Sequence, residues 1–361
     1  MSNIEVLRNP WRRPTVADPL TEEQVQAVAA CHRSMADYEP TPLLALKGLA
    51  RELGLRGLHV KDESKRFGLN AFKGLGVSYA MHRILEEGPL PQAGVVSCTD
   101  GNHGKALAWM AKRLGCPCLI LMPKGSSPAR VAAIQALGAT VQVTEHNYDD
   151  TVRLAASYAQ EHGALLVQDT ALPGYTKIPW DIVLGYSTLL REALEQLQER
   201  PTHVFVQAGV GSLAGGVIAY LNHAMAQGSA PLVGVIEAQT VPCIYESIRQ
   251  GRWVTFGDGP ITAMAGLNCG EANPVTFPII RDRADALIQC ADDITFRGMA
   301  RAKNPVDGDP AFSSGESGAV GLGMVEQLMR DPAYGAQRQQ LNLNSQSVVL
   351  VFNTEGEVAP Q

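Results

Sequence analysis

The sequence predicts an α/β protein of two doubly wound, open-sheet lobes with a cleft between them. Three observations carry this reading. The chain has 361 residues, more than one simple core accommodates. Apolar runs and helical patterns alternate regularly from about Ala93 to Val167, and the alternation resumes near Pro179. Polar and glycine-rich turns (Thr99-Asp-Gly-Asn102, Gln168-Asp169-Thr170, Ala208-Gly-Val-Gly211, Asn353-Thr-Glu355) follow the apolar runs, at the carboxyl ends of strands where ligands of open α/β sheets bind.

Taken in order, the chain begins with Pro10-Trp-Arg-Arg-Pro14 and a short helix over Thr21–Met35 with Thr21 as its cap. Tyr38-Glu-Pro-Thr-Pro-Leu43 reads as a proline-stiffened extended segment, and Leu58–Lys61 as a strand delivering Asp62-Glu63-Ser64 to its end. Gly94–Ser97, Pro117–Met122, Thr140–Val143 and Ala164–Val167 read as buried parallel strands. Helical patterns at His103–Leu114, Ser127–Leu137 and Tyr148–His162 join them into a small lobe. A helix near Pro179–Gln198, a strand at His203–Gln207, a helix from Ser212 and strands at Leu232–Ile236 and Ser347–Phe352 follow. This division assigns 1–80 and 200–361 to a large, cofactor-binding domain and 81–199 to a small α/β domain.

Composition narrows the function. A net charge of −6 argues against a nucleic-acid surface. No apolar run approaches the ~20 residues of a spanning helix, and the N-terminus lacks the layout of a secretion signal, so no membrane partner is expected. Seven irregularly spaced cysteines suggest reduced thiols in a cytoplasm. Cys116-Pro-Cys118 reads as strand packing, so no metal site is predicted, and nothing in the sequence pairs Cys243 with Cys269.

The chemistry concentrates in Gly68-Leu-Asn-Ala-Phe-Lys73-Gly74 and Cys98-Thr-Asp-Gly-Asn102-His-Gly104. A lysine among small residues at a helix start can form a Schiff base with an aldehyde cofactor, and burial would favour its neutral, nucleophilic form. Taken alone, Lys73 would read as a solvated helix lysine; the motifs around it change that reading. Glycines around Asn102 let the backbone approach a flat ligand, and the amide can hydrogen-bond the hydroxyl oxygen of a pyridine ring. His103 is open between a structural part and a site role. Together the two motifs read as a pyridoxal phosphate site of an enzyme acting on an amino acid.

Ala208-Gly209-Val210-Gly211-Ser212-Leu213 follows a strand and opens a helix, where backbone N–H groups converge on a phosphate. By itself this loop is as compatible with a nicotinamide dinucleotide, with Glu237 as the ribose-binding acid. Asp100 and Asp169 are either helix caps or a pair of acid–base groups whose carboxyls an apolar pocket would raise.

Asn-Ala-Phe-Lys73, Gly-Asn102-His-Gly and the glycine loop resemble the fold-type II pyridoxal phosphate enzymes. Arg66-Phe-Gly-Leu-Asn-Ala-Phe-Lys73, Asn147-Tyr-Asp-Asp-Thr-Val-Arg153, Gly174-Tyr-Thr-Lys-Ile-Pro179, Ala265-Gly-Leu-Asn-Cys-Gly-Glu271 and Ser314-Gly-Glu-Ser-Gly-Ala-Val-Gly-Leu-Gly323 narrow the resemblance to the diaminopropionate ammonia-lyase family. The resemblance implies α,β-elimination of 2,3-diaminopropionate to pyruvate and two ammonia, with pyridoxal 5'-phosphate in the cleft between the lobes. It gives the Schiff-base role to Lys73 and the cofactor hydroxyl contact to Asn102. Phosphate binding goes to Gly209, Val210, Gly211, Ser212 and Leu213, and acid–base roles to Asp100 and Asp169. Thr354 is the expected partner of the ring nitrogen, by analogy with hydroxyl residues that end the last strand in related dehydratases. The resemblance further implies a homodimer and a small amino acid as substrate, and family members are expected to continue in a polar tail where this sequence ends at Gln361.

Asp100 stands where serine or threonine dehydratases usually carry serine, and a carboxylate there would attract a cationic amine leaving group. On the face opposite Lys73 it would take the Cα proton of the D enantiomer while Lys73 takes that of the L form. A serine or threonine dehydratase is the alternative with the same chemistry. A non-catalytic pyridoxal phosphate binder is the alternative of another class.

Overall fold

A computed structural model describes residues 3–13, 19–99, 101–225, 230–257 and 261–357. The strands are β1 (Ile4–Arg8), β2 (Leu43–Ala45), β3 (Gly57–Asp62), β4 (Val95–Cys98), β5 (Cys118–Met122), β6 (Thr140–Val143), β7 (Leu165–Leu166), β8 (His203–Gln207), β9 (Leu232–Ala238), β10 (Ala286–Cys290) and β11 (Val348–Asn353). They form a seven-stranded sheet in the order β1-β10-β9-β8-β11-β3-β2 and a four-stranded sheet in the order β6-β5-β4-β7.

In the larger sheet β10, β9, β8, β11 and β3 run parallel, while β1 and β2 pair antiparallel at its two edges. All residues of β8, β10 and β11 are buried, as strands covered on both faces by helices must be. Register brings Asn353 of β11 opposite Asp62 of β3, and the Asn353 amide donates to the Asp62 carboxylate at 2.7 Å. The exits of β8, β11 and β3 thus lie side by side along one edge, the edge at which open α/β sheets hold their ligands.

The smaller sheet is parallel throughout, with Cys98 opposite Leu121 and Val96 opposite Leu166. Three of its four strands match the expected buried runs. Thr140–Val143 is a strand as expected but is largely exposed, because β6 is an edge strand paired only with β5. The first helix forms at Glu22–Ser34, where Thr21 and Gln24 make a reciprocal capping box.

The expected division into 1–80, 81–199 and 200–361 groups the helix Lys177–Gln196 with the small domain. That helix packs against the helices Lys73–Glu87 and Ser212–Ala224. Its burial runs almost without interruption from Ile182 to Ala193. The crossing with the Lys73 helix depends on two glycines. A Cβ on Gly76 would stand 2.8 Å from the carbonyl oxygen of Ile182, and one on Gly185 would collide with the carbonyl of Leu75. The two backbones therefore approach more closely than any side chain would permit.

Among the described residues no helix is long and apolar enough to cross a membrane, no metal-binding cluster of His, Cys, Asp or Glu occurs, and no disulfide joins the cysteines.

Candidate active site

Lys73 is the first residue of its helix, reached through a tight turn in which Phe67, Gly68 and Asn70 all have positive φ. The backbone N–H of Phe72 donates to the carbonyl of Thr354 at 3.1 Å, fastening the start of this helix to the exit of β11. Beneath the turn lies a cluster of two cations and two carboxylates, all at most 1% exposed. Arg66 binds Glu63 and Glu192, and Lys61 binds Glu192. Burial alone would raise the Glu192 carboxyl; Arg66 and Lys61 beside it hold it below the ordinary range.

The Lys73 amine pairs with Asp169, which leaves β7 through Val167 and Gln168. The amine also lies 5.3 Å from the centre of the Phe72 ring and 5.9 Å from that of Tyr186. Asp169 is 2% exposed, and burial pushes its carboxyl up; the Lys73 charge and hydrogen bond prevail and hold it at about 2. The Tyr148 hydroxyl and the Gln168 amide approach its other oxygen at 3.4 and 3.3 Å.

His103 is buried behind this pair. Its Nε2 lies 2.8 Å from the carbonyl of Val167 and its Nδ1 3.8 Å from Asp169. Burial lowers its pKa, so the ring is neutral and braces the Asp169 segment, a supporting role rather than simple capping.

Across the cleft, Gly209, Val210 and Gly211 connect β8 to the helix Ser212–Ala224. Gly211 has φ +96°, a conformation that favours glycine, and a Cβ there would come within 2.9 Å of both Ile244 and Ile280. Among the described residues no side chain caps this helix, whose first turn is buried. The Ser212 hydroxyl donates to the carbonyl of Asp169, and the Asn273 amide donates to both that carbonyl and the Ser212 oxygen. The glycine loop and the Lys73–Asp169 pair are thereby held in one frame.

One cavity is lined by Lys73, Asn102, Asp169, the segment 209–213 and Thr354. Every predicted site residue within the described residues therefore converges on one place; Asp100 lies outside the described residues. An uncapped, buried helix N-terminus fits a phosphate, and the amine, amide and hydroxyl groups around the same space fit a substituted pyridine aldehyde. Glu237, the candidate ribose ligand, is occupied otherwise. Its carboxyl accepts the N–H groups of Ile244 and Tyr245 at 2.9 and 2.6 Å and is pushed up to about 8 by burial. A helix start, rather than a ribose, takes its oxygens.

Sequence reasoning missed several contributors. Glu355 lines the cavity, accepting the Asn102 amide on one oxygen and the N–H of Ser317 on the other. The signal for Glu355 was its place beside Thr354 at a strand exit. Asn273, fully buried, had no local signal, since the partners of its amide nitrogen lie 61 and 104 residues away.

Comparison with known proteins agrees with this geometry. Residues 35–334 match the family model described as "Pyridoxal-phosphate dependent enzyme". The chain is 43% identical over 373 aligned residues to the diaminopropionate ammonia-lyase of Escherichia coli (strain K12), covering 98% of this chain and 94% of that one. It is 42% identical to the enzyme of that name from Salmonella typhimurium (strain LT2), covering 92% and 89%. The crystal structure of the Escherichia coli enzyme with an aminoacrylate-PLP azomethine reaction intermediate superposes with a TM-score of 0.92 at 43% identity, over 98% of this chain and 94% of that one.

Proposed function

Because the chain belongs to the pyridoxal-phosphate dependent enzyme family, we propose that it eliminates ammonia from 2,3-diaminopropionate. One substrate and one water give pyruvate and two ammonia. The observation that carries this reading is the pairing of Lys73 with the buried Asp169 in one cavity with a helix N-terminus, in a chain similar to diaminopropionate ammonia-lyases over nearly its whole length.

Pyridoxal phosphate, when bound, supplies an aldehyde for an amino group and a ring that accepts the electron pair left at Cα. The chain's residues supply the rest. The N–H groups of Gly209, Val210, Gly211, Ser212 and Leu213 would hold the phosphate. Asn102 would donate to the ring hydroxyl oxygen, and Thr354 would meet the ring nitrogen. Lys73 would anchor the cofactor, and its amine, when uncharged and unattached, would take the Cα proton of the L form. Asp100 takes the same role for the D form.

Asp169 changes character with Lys73. While the ammonium stands beside it, the carboxylate is held ionised. When Lys73 loses its charge, burial is left to raise the carboxyl, so Asp169 can carry a proton to or from the departing amine. Before departure, its negative charge attracts a cationic β-amino group more strongly than a neutral hydroxyl. The same proposal puts the protein in the cytoplasm, in keeping with seven irregularly spaced cysteines, and makes it a homodimer.

The test is product release from D- and L-diaminopropionate, D- and L-serine and L-threonine offered separately, with pyruvate assayed for the first four and 2-oxobutyrate for threonine. Diaminopropionate is expected to react roughly a hundredfold faster, as judged by kcat/KM. A preference for a hydroxy amino acid would make the protein a dehydratase.

A further inference from the structure

Glu355 follows Thr354 at the exit of β11, is 3% exposed, and lines the same cavity as Lys73 and Asp169. Its backbone forms a bridge with Ala71, and its carbonyl accepts the N–H of Gly315 at 2.9 Å. One carboxylate oxygen accepts the N–H of Ser317 at 2.9 Å, and the other accepts the Asn102 amide. A Cβ on Gly315 would stand 3.0 Å from both Cγ and an oxygen of Glu355, so the side chain packs directly on that backbone. The carboxylate is thus held in one place.

Its charge is unbalanced. Among the described residues no cation pairs with it: Lys105 is near enough to feel it, but that ammonium donates to the carbonyl of Leu69 at 2.7 Å instead. Both groups that donate to Glu355 are neutral. Accepting neutral donors requires no ion, and burying a carboxylate costs more than burying an amide. Fastening alone therefore does not account for a charge at this position. The charged residues lining the cavity, among those described, are Lys73, Asp169 and Glu355. Lys73 and Asp169 neutralise one another, which leaves the charge of Glu355 as the excess of the wall. A carboxylate in a cavity poor in water favours a cation over a neutral group of the same size.

We infer that Glu355 is a specificity-determining residue whose negative charge selects amino acids with a cationic side chain, diaminopropionate among them, over neutral ones of the same size. The inference rests on the cofactor placement in the proposed function. Asn102, which donates to Glu355, there meets the ring hydroxyl, and that hydroxyl is the neighbour of the aldehyde carbon to which an amino acid attaches. Asp169 is engaged by Lys73 when a substrate arrives, whereas Glu355 has no cation to release first. A Glu355 that only braced Asn102 and the helix Glu316–Arg330 would affect cationic and neutral amino acids alike.

The experiment measures the dissociation constants of L-2,4-diaminobutyrate and L-norvaline for the cofactor-loaded protein, from the change each makes in the visible spectrum of the cofactor. The two differ only by an ammonium in place of a methyl group, and neither carries a β-substituent that can leave. The unaltered protein should prefer diaminobutyrate. Glu355→Gln should cut that preference about tenfold, by weakening diaminobutyrate while norvaline stays within about twofold. Glu355→Asp, which keeps the charge, should retain the preference even where both amino acids bind more weakly. Glu355→Ala, neutral and smaller, should lose it and serves if the glutamine variant does not fold. A preference that survives in the neutral variants, or equal weakening of the two amino acids, overturns the role of Glu355. So does an unaltered protein without the preference. The product assay decides the proposed function separately: pyruvate from diaminopropionate, in a protein whose preference ignores Glu355, leaves that function standing and removes this inference alone.

Discussion

Lys73→Ala is expected to lower pyruvate formation from diaminopropionate by about a thousandfold or more. The variant loses both the anchoring amine and a base at Cα, and general-base groups alone contribute roughly 10²–10⁴. Geometry singles out this lysine: it begins a helix whose preceding N–H is tied to Thr354, and its amine meets a carboxylate that is 2% exposed. The cofactor should still bind through the segment 209–213, Asn102 and Thr354, but reversibly, so dialysis removes it. Borohydride reduction followed by proteolysis should label residue 73 in the unaltered protein and nothing in the variant. Label at another lysine, or near-normal turnover by Lys73→Ala, would refute the assignment.

Glu192→Gln is expected to cost about 3–5 kcal/mol of folding stability, the range for breaking a buried ion pair from one side. The Glu192 carboxylate receives Lys61 and Arg66 at 2.7 Å each, along with the Tyr38 hydroxyl at 2.8 Å and the Thr41 N–H at 3.1 Å. With Glu63 it balances the two cations in a place with almost no water. An amide leaves one positive charge uncompensated there. The cluster joins β3, the turn before Lys73 and the helix Lys177–Gln196, so cofactor binding should loosen along with the fold. Glu195→Gln is the control: Glu195 is 58% exposed and 3.8 Å from Arg191, and its loss should change stability by less than about 1 kcal/mol. Equal urea midpoints for the two variants would show that the cluster does not bear this energy.

What the sequence revealed follows from the range of the interactions. The strands of the small lobe were legible because their apolar runs and the helices between them are local, and Thr140–Val143 and Tyr148–His162 fall on the expected residues. β1 was not legible: five residues near the N-terminus become a strand only by pairing with β10, from Ile4 to Cys290. The side on which the helix Lys177–Gln196 packs was hidden too, since its apolar face suits either lobe and the glycine contact with Leu75 lies over a hundred residues away. At the site, motif residues announced themselves through unusual chemistry at strand ends and a helix start. Glu355 and Asn273 orient those residues through ordinary hydrogen bonds from distant segments, and nothing in their immediate neighbours marks such a role.

The most direct measurement is the ratio of ammonia to pyruvate released when the purified, cofactor-loaded protein consumes diaminopropionate. Elimination of the β-amine and hydrolysis of what remains require two ammonia for each pyruvate, at every time point. One ammonia per pyruvate, or ammonia without pyruvate, would contradict the elimination on which this account rests.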